Sequence, residues 1–377
     1  MRFLSALYRV FALFRDLTFA AVMAAAVAFV WLAADELPIG LPSPKRSYDA
    51  APAPVQFARN LDPALSTTAP GLTDAQRTER LLRATVRVTS GRALGSGVFV
   101  DNVACHVVTN EHVISSPGTL RVTYITRFRP DGSAVTRTVE AEIVGRPTDA
   151  NDLAVLRLAS CADAVWAPLG DSEALRHGDV VRAIGHPNGQ FWTLTQGVVS
   201  QPRRQMEDVT NASGWELVQV DAAINSGNSG GPLFDRSGAV VGINTLKRTD
   251  GENLGYALPA NLVDAYLAYL SFRGQMPSYV LGISVRQHDE ETARAAGVPA
   301  TLVRDGTFGL SVLGVNDGSV AARLGLREGD VLLAVNDDGV YDVHRLRRLL
   351  YTHAPHGPLT LLVLRDGRLG TLAVTLD

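Results

Sequence analysis

Residues 221–234 read DAAINSGNSGGPLF, with Gly227, Gly230 and Gly231 crowded around Ser229. Lacking a Cβ, these glycines let the backbone turn tightly and let another carbonyl come close to the amides. The residues after the serine decide the architecture. Pro232 comes soon after, and AVVGINTL at 239–246 is a short β-branched run, so the chain continues into a strand rather than a helix. The string Gly227-Asn228-Ser229-Gly230-Gly231 also fits the G-x-S-x-G elbow of α/β-hydrolases, but that elbow leads into a helix, and its acid and His come later in the chain. Here the candidate partners come earlier: His112 in VVTNEHVI and Asp152 in NDLAVLRL. Taken singly, Asp152 is a turn cap, His112 a polar strand end and Ser229 a residue of a glycine-rich turn. Taken together, they supply a base, its orienting acid and a nucleophile, without which a serine hydroxyl reacts poorly.

Outward from this stretch, the chain is β-rich. ATVRVTSG, GSGVFV, HVVTN, RVTYITRF, VEAEIVG, DLAVLRL, DVVRAIG, TLTQGVVS, ELVQV and AVVGINTL are short and separated by Gly, Pro, Asn and Asp turns. That spacing belongs to antiparallel sandwiches or barrels, not to βαβ units. Residues 75–258 therefore read as all-β, within a domain spanning 73–272. Thr73 is an N-cap candidate for a short helix through Leu81 and Leu82. Asn261 opens a further helix whose apolar residues Leu262, Ala265, Tyr266 and Tyr269 form a packing face, closed by Gly274. A smaller mixed α+β domain then occupies 276–377, with helix-like stretches SVAARLG and DVHRLRRLLYTH among its strands.

The chain has 377 residues, a length that fits two to three domains, and 35 Lys plus Arg against 38 Asp plus Glu gives a net charge of −3. No basic excess exists to neutralise a phosphate backbone, so nucleic acid is not an expected partner. Two cysteines cannot build a four-thiolate zinc site; no HExxH motif is present, and no metal or other cofactor is expected. Leu17–Ala34 carries no charge and one polar residue, Thr18, and as a helix would be about 27 Å long, close to a bilayer's apolar thickness. Arg2, Arg9 and Arg15 precede it while Asp35 and Glu36 come after it, which orients the N-terminus inward. Residues 1–37 are thus expected to be a cytoplasmic N-terminus and transmembrane anchor; a signal peptide cut near Ala33-Ala34 is the alternative. Residues 38–72, rich in Pro and Ala, read as a linker.

The motifs GSGVFV (95–100), TNEHVI (109–114), NDLAVLRL (151–158), IGHPNG (184–189), TQGVVS (195–200), DAAINSGNSGGPLF (221–234), GINTL (242–246) and GYALPAN (255–261) together resemble the HtrA family of trypsin-like serine proteases. The resemblance implies a double β-barrel with His112 as general base, Asp152 as its orienter and Ser229 as nucleophile. It places the oxyanion hole at the amides of Gly227 and Ser229, and the specificity pocket at Ala223, Ile224, Asn225, Asn244 and Thr245. With no acid in that pocket, small to medium apolar side chains are expected before the cut bond. His186 stands where the family usually has Asn and reads as structural. YVLGISV (279–285) and GSVAARLGLREGDVLLAVNDDGV (318–340) resemble a single PDZ domain, which implies capture of protein C-termini at Leu281, Gly282 and Ile283 by strand addition.

One anchor, one protease and one PDZ are most similar to the membrane-anchored, DegS-like branch. The resemblance implies an ATP-independent endopeptidase in the bacterial periplasm, held by the inner membrane, trimeric through its protease domains and acting on misfolded or regulatory proteins. A catalytically weak PDZ adaptor or chaperone is the competing class, opposed by the intact His112, Asp152 and Ser229 set. Residues 201–216 fall where the family has its activation-sensing loop, yet the arginine expected there is Gly214. Arg203 and Arg204 are the available substitutes. If His112 and Asp152 meet on antiparallel strands, Cys105, seven residues before one, and Cys161, nine after the other, lie in the same direction and can pair. Two buried free thiols are the alternative.

Overall fold

The computed structural model describes residues 62–101, 104–146, 152–206, 215–247, 254–273, 281–304, 306–353 and 358–374. The apolar stretch Leu17–Ala34 and Gly214 lie outside them. Among the described residues no helix is long and apolar enough to cross a membrane.

Six strands close the first barrel: β1 (Thr85–Ser90), β2 (Ala93–Asp101), β3 (His106–Thr109), β4 (Leu120–Phe128), β5 (Ala134–Gly145) and β6 (Ala154–Leu158), in the order β1-β2-β3-β6-β5-β4. Alternation drives the closure. In β1, Val86 and Val88 are fully buried while Arg87 between them is not. Phe99 and Tyr124 meet edge-to-face at 5.3 Å inside this barrel, and Phe99→Ala there would cost about 3–5 kcal/mol. Cys105 and Cys161 are disulfide-bonded beside that core, so the pairing expected from the sequence is formed.

The second barrel comprises β7 (Val180–Gly185), β8 (Thr193–Met206), β9 (Trp215–Val220), β10 (Pro232–Phe234), β11 (Val240–Lys247) and β12 (Gly255–Pro259), closed as β10-β11-β12-β9-β8-β7. Val98 and Val108 of the first barrel and Ile184, Leu217 and Phe234 of the second share one apolar cluster, which joins the two barrels. Ahead of them, Thr73 caps a helix at Asp74–Ala84 with a reciprocal bond to Gln76.

The end of the expected linker is packed instead of free. Thr67 is fully buried, its hydroxyl donates to Gly238 O at 2.6 Å, and Ser66 bridges Trp166. These bonds satisfy backbone and hydroxyl groups that composition alone had left to solvent.

The helix Ala260–Arg273 leads out of the second barrel. The third unit is a sheet ordered β13 (Ile283–Gln287), β14 (Leu310–Val315), β15 (Val331–Val335), β17 (Leu359–Arg365), β18 (Arg368–Val374), with β16 (Asp338–Gly339) on β15. Its main helix, Val343–His353, buries Leu346, Leu349 and Leu350 against the sheet. Tyr351 of that helix stacks at 4.9 Å on Tyr266 and at 6.4 Å on Tyr269 of the preceding helix. The aromatic face read from the sequence thus packs one domain against the next.

Candidate active site

His112 lies on a one-turn helix, Glu111–Ile114, directly after β3, and Asp152 directly before β6. Because β3 and β6 pair antiparallel, with Thr109 opposite Ala154, the two side chains arrive at the same end of the barrel. His112 Nδ1 meets Asp152 Oδ2 at 2.7 Å, and the His112 backbone amide donates to Oδ1 at 3.0 Å. Asp152 is further fixed by Asn110, whose Nδ2 donates to its carbonyl at 2.6 Å. The ionised carboxylate orients Nδ1–H toward itself and leaves Nε2 with its lone pair. Burial pulls the imidazole pKa down, but the hydrogen bond and charge of Asp152, with Glu111 nearby, outweigh it, so the net displacement is upward.

Ser229 comes from the second barrel, on the loop between β9 and β10. Its carbonyl accepts from the Ser96 amide at 2.8 Å, and the Gly230 amide donates to Asn244 O at 2.8 Å, so the loop is tied to both barrels. Gly227 and Gly230 sit at φ +100° and +82°, and a Cβ would fall 2.3 Å from His186 O at the first and 2.2 Å from Ser96 O at the second. Within the loop, Asn228 N donates to Asn225 O and Gly231 N to Asn228 O, both at 2.9 Å. Among the described residues the amides of Gly227 and Ser229 donate to no acceptor, which leaves two donors open on either side of Asn228. The Ser229 hydroxyl donates to Thr245 O at 3.3 Å.

Thr245 holds both halves of the site. Its carbonyl accepts a hydrogen bond from the Ser229 hydroxyl, and its own hydroxyl donates to Asp152 Oδ2 at 2.6 Å. Its side chain is therefore turned to the acid, where the sequence had placed it on a pocket wall. Two further expected pocket residues are also committed inside: Ile224, 5% exposed, belongs to the core of the second barrel, and fully buried Asn244 donates to Pro232 O at 3.0 Å. Ala223 is exposed and Asn225 half-buried. Neither Asn110 nor Ser96 was singled out from the sequence, since a buried polar residue in a strand or cap carries no local signature of its partner.

In the third unit, β13 is an edge strand. Leu281 O accepts from Ala321 N at 2.9 Å and Gly282 O from Asn316 N at 2.8 Å, while their own amides donate to nothing among the described residues. Ile283 and Val285 share an apolar cluster with Leu346 and Leu349 of the facing helix. A cleft lies between this unit and the second barrel, lined by Arg203, Glu216, Tyr341, Asp342 and Arg348 among others. Across it Glu173 takes Arg345 at 3.3 Å and also Arg348, and Arg203 lies 5.7 Å from the Tyr341 ring centroid. Arg204 instead donates to Gln219 Oε1 at 2.8 Å.

Residues 95–243 match the trypsin-like peptidase domain model and residues 280–376 the PDZ domain model. The serine protease Do-like HtrA of Lactobacillus helveticus is 32% identical over 75% of this chain and 68% of its own. The chain belongs to the HtrA family of serine proteases. Periplasmic serine endoprotease DegP of Salmonella typhimurium is 34% identical over 76% of this chain, which spans 57% of that longer relative. Among solved structures, the HtrA-type protease AlgW with a tripeptide aligns at TM-score 0.59 and 30% identity, covering 78% of this chain and 93% of that one. AlgW with a decapeptide aligns at TM-score 0.58 and 27% identity, over 80% and 97%.

Proposed function

We propose that this HtrA-family chain is an ATP-independent serine endopeptidase of the bacterial periplasm that cleaves misfolded or regulatory proteins and reads protein C-termini with its PDZ domain. The observation that carries the reading is the Asp152–His112 hydrogen bond beside a serine loop that leaves the Gly227 and Ser229 amides free. In the reaction Ser229 Oγ attacks the substrate carbonyl, His112 Nε2 takes its proton and later returns it to the leaving amine, and Asp152 holds the imidazolium that forms. The two free amides take the oxyanion. The resting hydroxyl is bonded to Thr245 O, so it turns to the imidazole before attack.

Several observations support the setting. Relatives are named periplasmic, the Cys105–Cys161 bridge suits an oxidising compartment, and Leu17–Ala34 with its preceding arginines suits a single-pass inner-membrane anchor. The free amides of Leu281 and Gly282 at the head of edge strand β13 suit a peptide carboxylate, and AlgW has been solved with peptides. Family membership supports a homotrimer. The exposed Ala223 and half-buried Asn225 bring no charge to the specificity pocket, which favours apolar residues before the cut bond.

The test is hydrolysis of casein without ATP. A fluorophosphonate should label Ser229 and stop cleavage, and a chelator should leave it unchanged. Cleavage that survives complete labelling, or stops with the chelator, would overturn the reading.

A further inference from the structure

We propose that His186 is a positioning residue for the oxyanion hole, acting through Ser96 on the Gly227 carbonyl. The inference rests on the serine-protease reading above and concerns what aims one of its two amides.

His186 is fully buried at the end of β7, and its Nδ1 lies 2.8 Å from Ser96 Oγ. Ser96 Oγ is also 2.6 Å from Gly227 O. Counting protons fixes every direction in this chain. A carbonyl can only accept, so the single Ser96 hydroxyl proton goes to Gly227 O, and Ser96 must in turn accept from Nδ1–H of His186. Nδ1 of the imidazole therefore carries a proton, and Nε2, buried without an acceptor among the described residues, is the nitrogen that goes without one. Its pKa is consistent with this, lowered to about 3 by burial first and by the Arg87 charge second, so it carries no proton charge at working pH. The His186 backbone amide donates to the same Gly227 carbonyl at 3.3 Å.

Two aromatic rings pack against it. Trp192 stands edge-on at 5.0 Å and Phe191 at 5.9 Å; Trp192 is itself tied by Nε1 to Thr85 O at 3.0 Å, and Arg87 covers the Phe191 ring at 4.4 Å. Nε2 is buried with no hydrogen-bond partner among the described residues. A packing residue would not require an imidazole with an orphaned nitrogen; the donor at Nδ1 is what the site uses.

The effect on chemistry comes from the loop's other bonds. Asn228 N and O are held by Asn225 and Gly231, and its Nδ2 donates to Ala223 O at 3.2 Å, which leaves the Gly227 carbonyl as the point where Ser96 and His186 grip the segment between the two free amides. Without an aimed Ser96 hydroxyl only the longer 3.3 Å bond from the His186 amide holds that carbonyl, the backbone can tilt about Gly227, where no Cβ resists, and the Gly227 amide loses its aim. The Ser229 amide, fixed on the far side of Asn228, keeps its own.

The experiment compares His186→Leu, His186→Asn and Ser96→Ala with wild type on a small reporter peptide and on a peptide boronate, whose tetrahedral adduct with Ser229 needs the oxyanion hole. His186→Leu and Ser96→Ala should lower kcat about 10- to 100-fold and weaken the boronate in parallel, with KM within about twofold. His186→Asn, which keeps a donor, should restore most of the loss. The acid limb of the pH profile, set by His112, should not move. Near-UV circular dichroism of the Trp192 region and the melting temperature check that each variant is folded. Wild-type kcat and boronate affinity in folded His186→Leu would overturn the proposal, as would a loss confined to KM, or a loss His186→Asn does not recover. If wild type itself fails to bind the boronate, or Ser229→Ala keeps its activity, the underlying protease reading fails instead.

Discussion

The serine loop and the protease–PDZ junction both hold polar groups out of water, and they satisfy them by opposite means. Around Ser229 the partners are short and neutral: backbone carbonyls, Ser96, Thr245 and an uncharged His186, each in one direction. At the junction they are long and charged: Arg203, Arg345 and Arg348 reach Glu173 and Tyr341 across a cleft, and Glu216 lies beside Asp342. Short side chains lose little rotamer entropy and tolerate one geometry, whereas long ones have many nearly equal arrangements. The first suits a site that must be preorganised, the second a contact that must shift.

The sharpest contrast comes from removing chemistry in the rigid region. Ser229→Ala should abolish hydrolysis, by about 10⁶-fold in turnover on subtilisin-type precedent, while the melting temperature stays within error. Asp152→Asn should cost about 10⁴-fold, since the amide favours the wrong imidazole tautomer. The direction of its pH effect is also fixed. Asp152 raises the His112 pKa, and only neutral His112 acts as base, so the pH through which wild-type activity falls on acidification is displaced upward from that of a free histidine. In the variant that acid limb should move to lower pH; an unmoved limb would show that another group sets it. Thr245→Val removes one hydrogen bond to the same carboxylate, and a loss of about 10- to 100-fold in kcat/KM, with the fold intact, is expected from about 1.5–3 kcal/mol for a charged partner.

The two regions were unequally legible in the sequence. His112, Asp152 and Ser229 stand in distinctive strings because catalysis restricts residue type, and the structure brings the first two into contact. Strand β10, three residues beginning with Pro232, and β12, GYALP, were not counted as strands, since short runs without alternation have no periodic signal. Both exist through pairing with β11, a tertiary fact. Residues 62–70 looked unpackable, yet Thr67 and Ser66 are held by carbonyls and by an isolated bridge to Trp166, all distant in the chain. Thr245 and Ile224 were assigned by resemblance to a pocket wall, where neighbours alone reveal that one turns to Asp152 and the other into the core. The junction was the least readable, because composition cannot say which of many surface arginines meets which acid. Arg203, offered in place of the arginine missing at Gly214, does reach the PDZ domain; Arg204 bonds within its own barrel.

If the junction is the adjustable region, its state should reach the rigid one. A peptide with a free apolar C-terminus bound at Leu281–Ile283 should accelerate cleavage of a small reporter that cannot occupy the PDZ domain, by roughly 5- to 150-fold for a coupling of 1–3 kcal/mol. Tethering of substrate would leave that reporter unaffected, so unchanged cleavage at confirmed saturation dismisses coupling. Arg203→Ala should reduce the stimulation without weakening peptide binding at β13, because its contact is with Tyr341 and not with the peptide edge.

The smallest effect concerns Glu216. Burial chiefly, then the neighbouring Asp342 charge, push its carboxyl up to about 8 from an ordinary 4.5, against the pull of Arg203 and Arg348. A raised acid keeps a proton in the folded state that the unfolded chain releases, so the packed junction binds more protons than the open chain between those two values. Stability from this group is therefore fully present below about 4.5 and is lost as pH rises through about 8, the reverse of an ordinary paired carboxylate. Glu216→Gln places a neutral donor permanently beside Asp342 and removes the titration. Thermal melts of the two proteins from pH 5 to pH 9 should run close together at the acid end and separate toward the alkaline end, with the variant the more stable. Parallel curves would mean that Glu216 is ionised throughout, and that the junction is held by its arginine pairs alone.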